Sequence, residues 1–325
     1  MILSSLLVLS QLTRQTSSLQ ASSPYGASVL ALQHPRTFQD ILWVGGAEIE
    51  VELCPDPGGL PARDVLDWVR KAAVAVTTYY GQFPVQHARI IVTQTKEADR
   101  SVHGTTWGDM AGVQGLSKMR LGQEVTKADL DADWTMTHEM VHMALSSLPD
   151  ESHWLEEGLA TYVEPIARAQ AGQLSAEKVW EGMISGMPQG QPASGDRGLD
   201  RTHTWGRTYW GGAMFCLIAD VRIRQATHNR KGLQDALRAI VATGATIDTE
   251  RPIDHVLEVG NKATGTTVLT DLYEKWKDNP VPVDLDGLWL ALGVKSGPHG
   301  VEFDPGAPLT PIRNAILSRT AVASP

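Results

Sequence analysis

The sequence predicts an α+β fold, a small N-terminal mixed sheet followed by a mainly helical subdomain, and three observations predict it. In "AEIEVELC", Ile49, Val51 and Leu53 alternate with Glu48, Glu50 and Glu52, the period-2 pattern of a half-buried strand. In "PARDVLDWVRKAAVAVTTYYG", Val65, Leu66, Val69, Ala72, Ala73 and Val76 recur at helical spacing before "ARIIVTQT" returns to a strand. From about Thr126 onward the apolar pattern is helical almost to the end.

The elements follow in order. Residues 1–44 read as a leader and linker, with residues 45–126 as an αβ subdomain, 127–278 as the helical subdomain and 279–325 as a C-terminal tail. Inside the leader, the apolar stretch Ile2 to Leu9 is too short to cross a bilayer and has the character of a short signal-peptide core. It carries no Lys or Arg ahead of it; export to the periplasm or exterior is the expectation, and a cytoplasmic location the alternative. The glycine-interrupted segments "HGTTWG" and "GVQGLSKMRLG" read as further strands or sheet edges. A helix is expected from roughly Lys127 to Ser146, apolar on most sides through Leu130, Trp134, Met136, Met140, Val141, Met143 and Leu145, and so buried. A second helix is expected from about Ser152 to Ala171, then a loop, "SGMPQGQPASGDRG", then helices in "TYWGGAMFCLIADVRIRQ" and "KGLQDALRAIVATG". The tail holds one short helical pattern, "LDGLWLALGV", and a strand-like "GVEFD".

Composition narrows the function. The apolar fraction of 42% and charged fraction of 20% are those of a globular chain. A net charge of −9 argues against a nucleic-acid partner, because such binding rests on Lys and Arg neutralising phosphates. Two cysteines, Cys54 and Cys216, exclude a disulfide framework and a cysteine-rich zinc module; Cys216, in the apolar run "GGAMFCLIAD", reads as a buried thiol, and a bridge between the two is left open. No segment is long and apolar enough to be an integral membrane span.

The chemistry concentrates in "HEMVHMALSSLPDESHWLEEGLATYVE". His138 and His142 are four apart, so on a helix both imidazoles leave one face a turn apart, the spacing at which two ring nitrogens reach a single Zn²⁺ at ~2.0–2.1 Å. Glu139 lies beside the first, where a carboxylate can take a proton from a metal-activated water. Two histidines and a glutamate on a buried helix are costly without a partner for their charge, and a metal supplies one. A catalytic zinc needs a third protein ligand. A histidine six residues after His142 is ruled out, since Leu148 stands there. His153 is one option; Glu156 and Glu157 are others, and being about 100° apart on a helix only one of them can face the metal.

"HEMVH" followed by "WLEEGLATYVE" resembles the gluzincin zinc metallopeptidases, and among them the catalytic domain of the aminopeptidase N and glycyl aminopeptidase relatives. The resemblance implies a thermolysin-like zincin fold over roughly residues 45 to 245 and one Zn²⁺ per chain. It implies Glu157, before Gly158, as third ligand with His138 and His142, and Glu156 as a bystander. The interval between His142 and Glu157 is fourteen residues, positions 143 to 156, a few fewer than in the aminopeptidase N pattern. "TYWGGA" is similar to the tyrosine segment of those enzymes, which implies that Tyr209 donates to the oxyanion, with Gly211 where the family has lysine; His203 and Tyr162 are the other candidate donors. The family's amine-anchoring motif is missing, "HGTTWGDMAG" occupying its place, with Asp109 as the substitute carboxylate to consider.

The expectation is thus a zinc-dependent peptidase acting on peptide or protein substrates, with Glu139 and Tyr209 catalytic. The rivals are an inactive zincin-fold binding protein and a zinc hydrolase with a non-peptide substrate. Carboxylates or carbonyls are expected on the second nitrogens of both histidines. Thr161 and Glu164, one and two turns beyond Glu157, are expected either near the site or, for Glu164, on a solvated face.

Overall fold

The computed structural model describes residues 38–54, 60–298 and 300–319; the leader and its reading as an export signal lie outside them. A five-stranded sheet forms the N-terminal part, built from β1 (Phe38–Val44), β2 (Ala47–Cys54), β3 (His87–Gln94), β4 (Val102–Met110) and β5 (Val113–Leu121) in the order β1-β2-β3-β5-β4. The β2–β3 and β3–β5 pairs are parallel while β1–β2 and β4–β5 are antiparallel, so the sheet is mixed and β4 is an edge. The strand β1 falls inside the segment assigned from sequence to the linker, whose boundary is therefore corrected to before Phe38. Its signal was weak because only Leu42 is buried while Ile41 and Trp43 face outward.

In β2 the alternation works as read: Ile49, Val51 and Leu53 enter the core and the three glutamates between them do not. The crossover helix α1 (Ala62–Tyr80) buries Val65, Val69, Ala72, Ala73 and Val76 and ends at Gly81, which adopts φ 87°, a left-handed C-terminal stop.

The single helix expected from Lys127 to Ser146 is two: α2 (Lys127–Ala132) and α3 (Thr135–His142). Asp133 breaks it. Its backbone is extended (φ −62°, ψ 141°), and its carboxylate accepts from the Met136 amide (3.0 Å) and the Trp68 indole (2.9 Å). An aspartate that captures a backbone N–H three residues on starts a helix rather than continuing one. Trp134, counted among the buried apolar residues, is instead 53% exposed.

Helix α4 (His153–Gln170) runs almost over the predicted span and carries Pro165 within it. Helix α5 (Ala176–Gly186), with Ser175 as its cap and Val179, Trp180 and Met183 buried, was not read from the sequence. A π-helical turn over Arg207–Gly211 leads into α6 (Gly212–Ala226), and α7 (Leu233–Ala242) follows. Two further helices not singled out from sequence are α8 (Ile253–Thr264) and α9 (Val268–Trp276).

The tail is part of this helical layer. It forms α10 (Leu285–Leu292), a β6–β7 hairpin (Val294–Gly297 and Gly300–Phe303) and α11 (Thr310–Leu317). The hairpin packs on α5 and α11 on α4 and α6. Cys216 is buried in α6, Cys54 closes β2, and the two are not bonded to each other. No helix among the described residues is long and apolar enough to cross a membrane.

Candidate metal centre

Helices α3 and α4 pack together, and each brings its polar residues to one point. His138 Nε2 lies 3.1 Å and His142 Nε2 3.5 Å from the same oxygen, Oε2 of Glu157. Two ligands bonded tetrahedrally to one zinc at ~2.0–2.1 Å stand about 3.3–3.4 Å apart. The two separations bracket that value, and the donor set of two imidazoles and one carboxylate is a zinc set, so the residues fit the ion.

Burial and mutual proximity set the electrostatics. Burial alone would raise the Glu157 carboxyl, but hydrogen bonds from His138 and His142 and their charges hold it well below the usual carboxylate range. Burial dominates at His138 and lowers it. At His142 burial is opposed and outweighed by the Glu157 hydrogen bond and the neighbouring carboxylates, so it is raised. Nδ1 of His138 is buried without a hydrogen-bond partner, against the expectation of a carboxylate or carbonyl there. The ring is held by aromatic packing instead: Trp134 meets it edge-to-face (centroids 5.4 Å apart) and Tyr209 stacks on it at 6.2 Å.

Glu139 projects towards the edge strand β4. Its Oε2 accepts from Thr106 Oγ1 at 2.7 Å, and that hydroxyl is in turn 2.8 Å from Ser117 Oγ on β5. A Cβ on Gly104 would fall 2.3 Å from Cγ of Glu139, so β4 comes this close only because residue 104 has no side chain. Thr106 and Gly104 were missed in the sequence reading as partners of the carboxylate. The segment was singled out, but nothing local says that β4 rather than another strand borders α3.

Tyr209 sits in the π-helical turn and lines the same cleft as His138, Glu139, His142 and Glu157. Its phenol is pushed up to about 12, first by burial and then by the Glu157 carboxylate, so it stays protonated at neutral pH. The other proposed donors are excluded: Tyr162 is buried and its hydroxyl donates to Asp220 (3.0 Å), and His203 is exposed away from the cleft. His153 reaches the other oxygen of Glu157 (Nε2 to Oε1, 3.4 Å) and stands outside the three-residue cluster. Glu156 accepts from the Leu148 amide (2.9 Å) and pairs with His153, a loop-fixing role. Asp109 is exposed at the β4–β5 turn with φ 46° and does not line the cleft, which removes it as an amine anchor. Glu164 is buried and paired with Arg168 (2.9 Å) rather than solvated, and Thr161 faces a neighbouring cavity.

The cleft holds about 470 Å³ and is walled by β4 on one side and by α3, α4 and the tyrosine turn on the other. A mixed sheet whose edge strand borders a histidine–glutamate helix, followed by a mainly helical layer, is an α+β fold. Among solved structures, an aminopeptidase N family protein from Idiomarina loihiensis superposes with a TM-score of 0.58 at 11% identity, over 79% of this chain and 49% of that one. An M1 zinc metallopeptidase from Deinococcus radiodurans gives 0.48 at 15% identity, over 77% and 53%. The first likeness establishes the fold, and the chain spans about half the length of these structures. No protein-family model matches the chain, and no curated protein sequence does.

Proposed function

We propose that the chain is a zinc-dependent peptidase with His138, His142 and Glu157 as metal ligands, Glu139 as general base and Tyr209 as oxyanion donor. The observation that carries this reading is the convergence of both imidazoles on one Glu157 oxygen beside a carboxylate that faces the cleft. Zinc held there would supply a water with its pKa lowered to ~7 and would polarise the scissile carbonyl.

The chain's own residues do the rest. Glu139 accepts the proton of the attacking water and delivers it to the leaving amine. Thr106 holds one oxygen of that carboxylate, leaving the other for the proton. The Tyr209 hydroxyl donates to the oxygen on which negative charge develops. The outer edge of β4 offers backbone groups to a substrate bound as an added strand, the arrangement suited to an extended peptide.

Metal analysis after dialysis against a weak chelator tests the ligand set: about one zinc per chain is expected in the wild type and less in Glu157→Ala. Glu139→Gln should keep the zinc and lose at least ~10²-fold in peptide hydrolysis. A wild-type chain that takes up no zinc when it is supplied refutes the reading. Near-wild-type hydrolysis in Glu139→Gln removes the base.

A further inference from the structure

We propose that the buried ion pair between Arg207 and Asp196 is a positioning device: it fixes the π-helical turn in the register that sets the Tyr209 hydroxyl at the metal centre. The proposal rests on the reading of Tyr209 as oxyanion donor, and it concerns two residues that do not line the cleft. Arg207 Nε lies 2.7 Å from Asp196 Oδ2, with the two side chains only 3% and 1% exposed. Nη1 of Arg207 donates to the Gly190 carbonyl, and Nη2 is buried without a hydrogen-bond partner among the described residues. Oδ1 of Asp196 accepts from the Gly198 amide at 2.8 Å. One guanidinium thus joins the first residue of the tyrosine turn to Gly190 and Asp196, two points of the loop that precedes it.

That loop is anchored in turn to the helix that carries Glu157. Asp200 accepts from the Trp154 indole (2.7 Å) and from the Tyr273 hydroxyl (2.8 Å), and Trp154 stands on α4 three residues before Glu157. The backbone of Gly190 lies against that of the turn: a Cβ there would fall 2.3 Å from the carbonyl carbon of Trp210. The place of Tyr209 relative to Glu157 therefore runs through this loop, with Arg207 as the link.

The pair serves geometry rather than stability. Two charges taken this far out of water lose hydration that their attraction barely offsets, and well-packed apolar residues of similar size would stabilise the fold as well or better. An apolar pair has no direction, however, and would not fix the register of the turn. A π-turn needs such support, because it is a rare departure from the α-helix into which it leads. Relaxation to α-helix would swing residue 209 round the helix axis. The ring's own contacts do not prevent it: Tyr209 stacks on His138 at 6.2 Å and on Trp205 at 5.7 Å, and flat faces at those separations can slide.

The test replaces the pair by apolar residues, Asp196→Leu with Arg207→Met, so that stability and positioning separate. This double variant should melt close to wild type, whereas Arg207→Met alone should melt lower. Its kcat should fall ~10–100-fold with KM and zinc content little changed, the loss expected when a catalytic group is displaced by about 1 Å. In a Tyr209→Phe background the same two substitutions should cost less than ~2-fold, because residues that act as a unit are not additive. Asp196→Asn, which keeps the shape and removes the charge, should show a smaller loss of the same kind. 3-Fluorotyrosine placed at position 209 gives a readout free of activity: its fluorine NMR signal should shift or split in the double variant and in Asp196→Asn. An unchanged fluorine signal in both variants, or near-wild-type kcat, overturns the proposal. A loss equally large in the Tyr209→Phe background does so too, since the pair would then act elsewhere. If the wild-type chain cleaves no peptide, the peptidase reading falls, and the fluorine signal alone decides whether the pair holds the tyrosine.

Discussion

Gly158 and Gly212 cross with their backbones in contact: a Cβ on Gly158 would fall 2.2 Å from Cα of Gly212, and one on Gly212 2.2 Å from the Trp154 carbonyl oxygen. Gly158 follows the proposed ligand Glu157, and Gly212 is three residues past Tyr209. The closeness of α4 to the start of α6 is therefore what brings the tyrosine turn over the carboxylate. Gly158→Ala should force the helices apart, at a cost of ~1–3 kcal/mol. A melting temperature lower by ~2–10 °C is expected, together with weaker zinc retention. Unchanged melting and zinc content in this variant would show that the crossing tolerates a methyl group.

Thr106 is a positioning residue for Glu139, through a 2.7 Å bond to a carboxylate. Thr106→Val should lower kcat ~10–100-fold with KM and zinc content little changed, the loss expected for one hydrogen bond to a charged group. Thr106→Ser restores the hydroxyl and should recover most of the rate. A merely structural role would instead show as a serine variant as poor as the valine one, or as a loss confined to KM.

Tyr209→Phe should reduce kcat ~10²–10³-fold while keeping zinc. The phenol, pushed up to about 12, is protonated throughout the working range. Any fall in rate between pH 7 and 10 should therefore persist unchanged in the phenylalanine variant. Disappearance of that limb would assign it to Tyr209 and contradict the placement.

Glu164 gives a stability prediction with a definite sign. Burial raises its carboxyl to about 7 against a partial lowering by Arg168 and a further rise from Asp133. A folded-state value above the unfolded one means that folding favours the protonated acid. The associated stability is present below pH ~4.5 and is lost as pH rises through about 7. Denaturant melts from pH 5 to 8 should show a downward contribution of ~1–3 kcal/mol in the wild type. Glu164→Gln should flatten it. An identical slope in the two proteins would mean that Arg168 already holds Glu164 ionised.

The half-buried strands and the two main helices of the site were legible because their periodicity is a local property. β2 and α1 alternate and repeat as their burial does. Where local signals competed, the reading slipped: the apolar run from Lys127 to Ser146 concealed the capping aspartate at 133, and β1 shows too little alternation to stand out. Helix α5 was overlooked although Val179, Trp180 and Met183 follow a Ser175 cap, because the glycines and prolines just beyond it read as one long loop.

The sequence by itself determined the chemistry available to this protein: two histidines one turn apart with a glutamate beside the first, and a second glutamate before a glycine. Those relations follow from helix geometry, which needs only neighbouring residues. Tertiary structure decided everything that depends on distance between elements. It put one oxygen of Glu157 at 3.1 and 3.5 Å from the two imidazoles, gave Glu139 its hydrogen bond from Thr106 and stacked Tyr209 on His138. The physical reason is that these separations are set by sheet order and by the crossing at Gly158 and Gly212, which arise from packing between residues far apart in the chain.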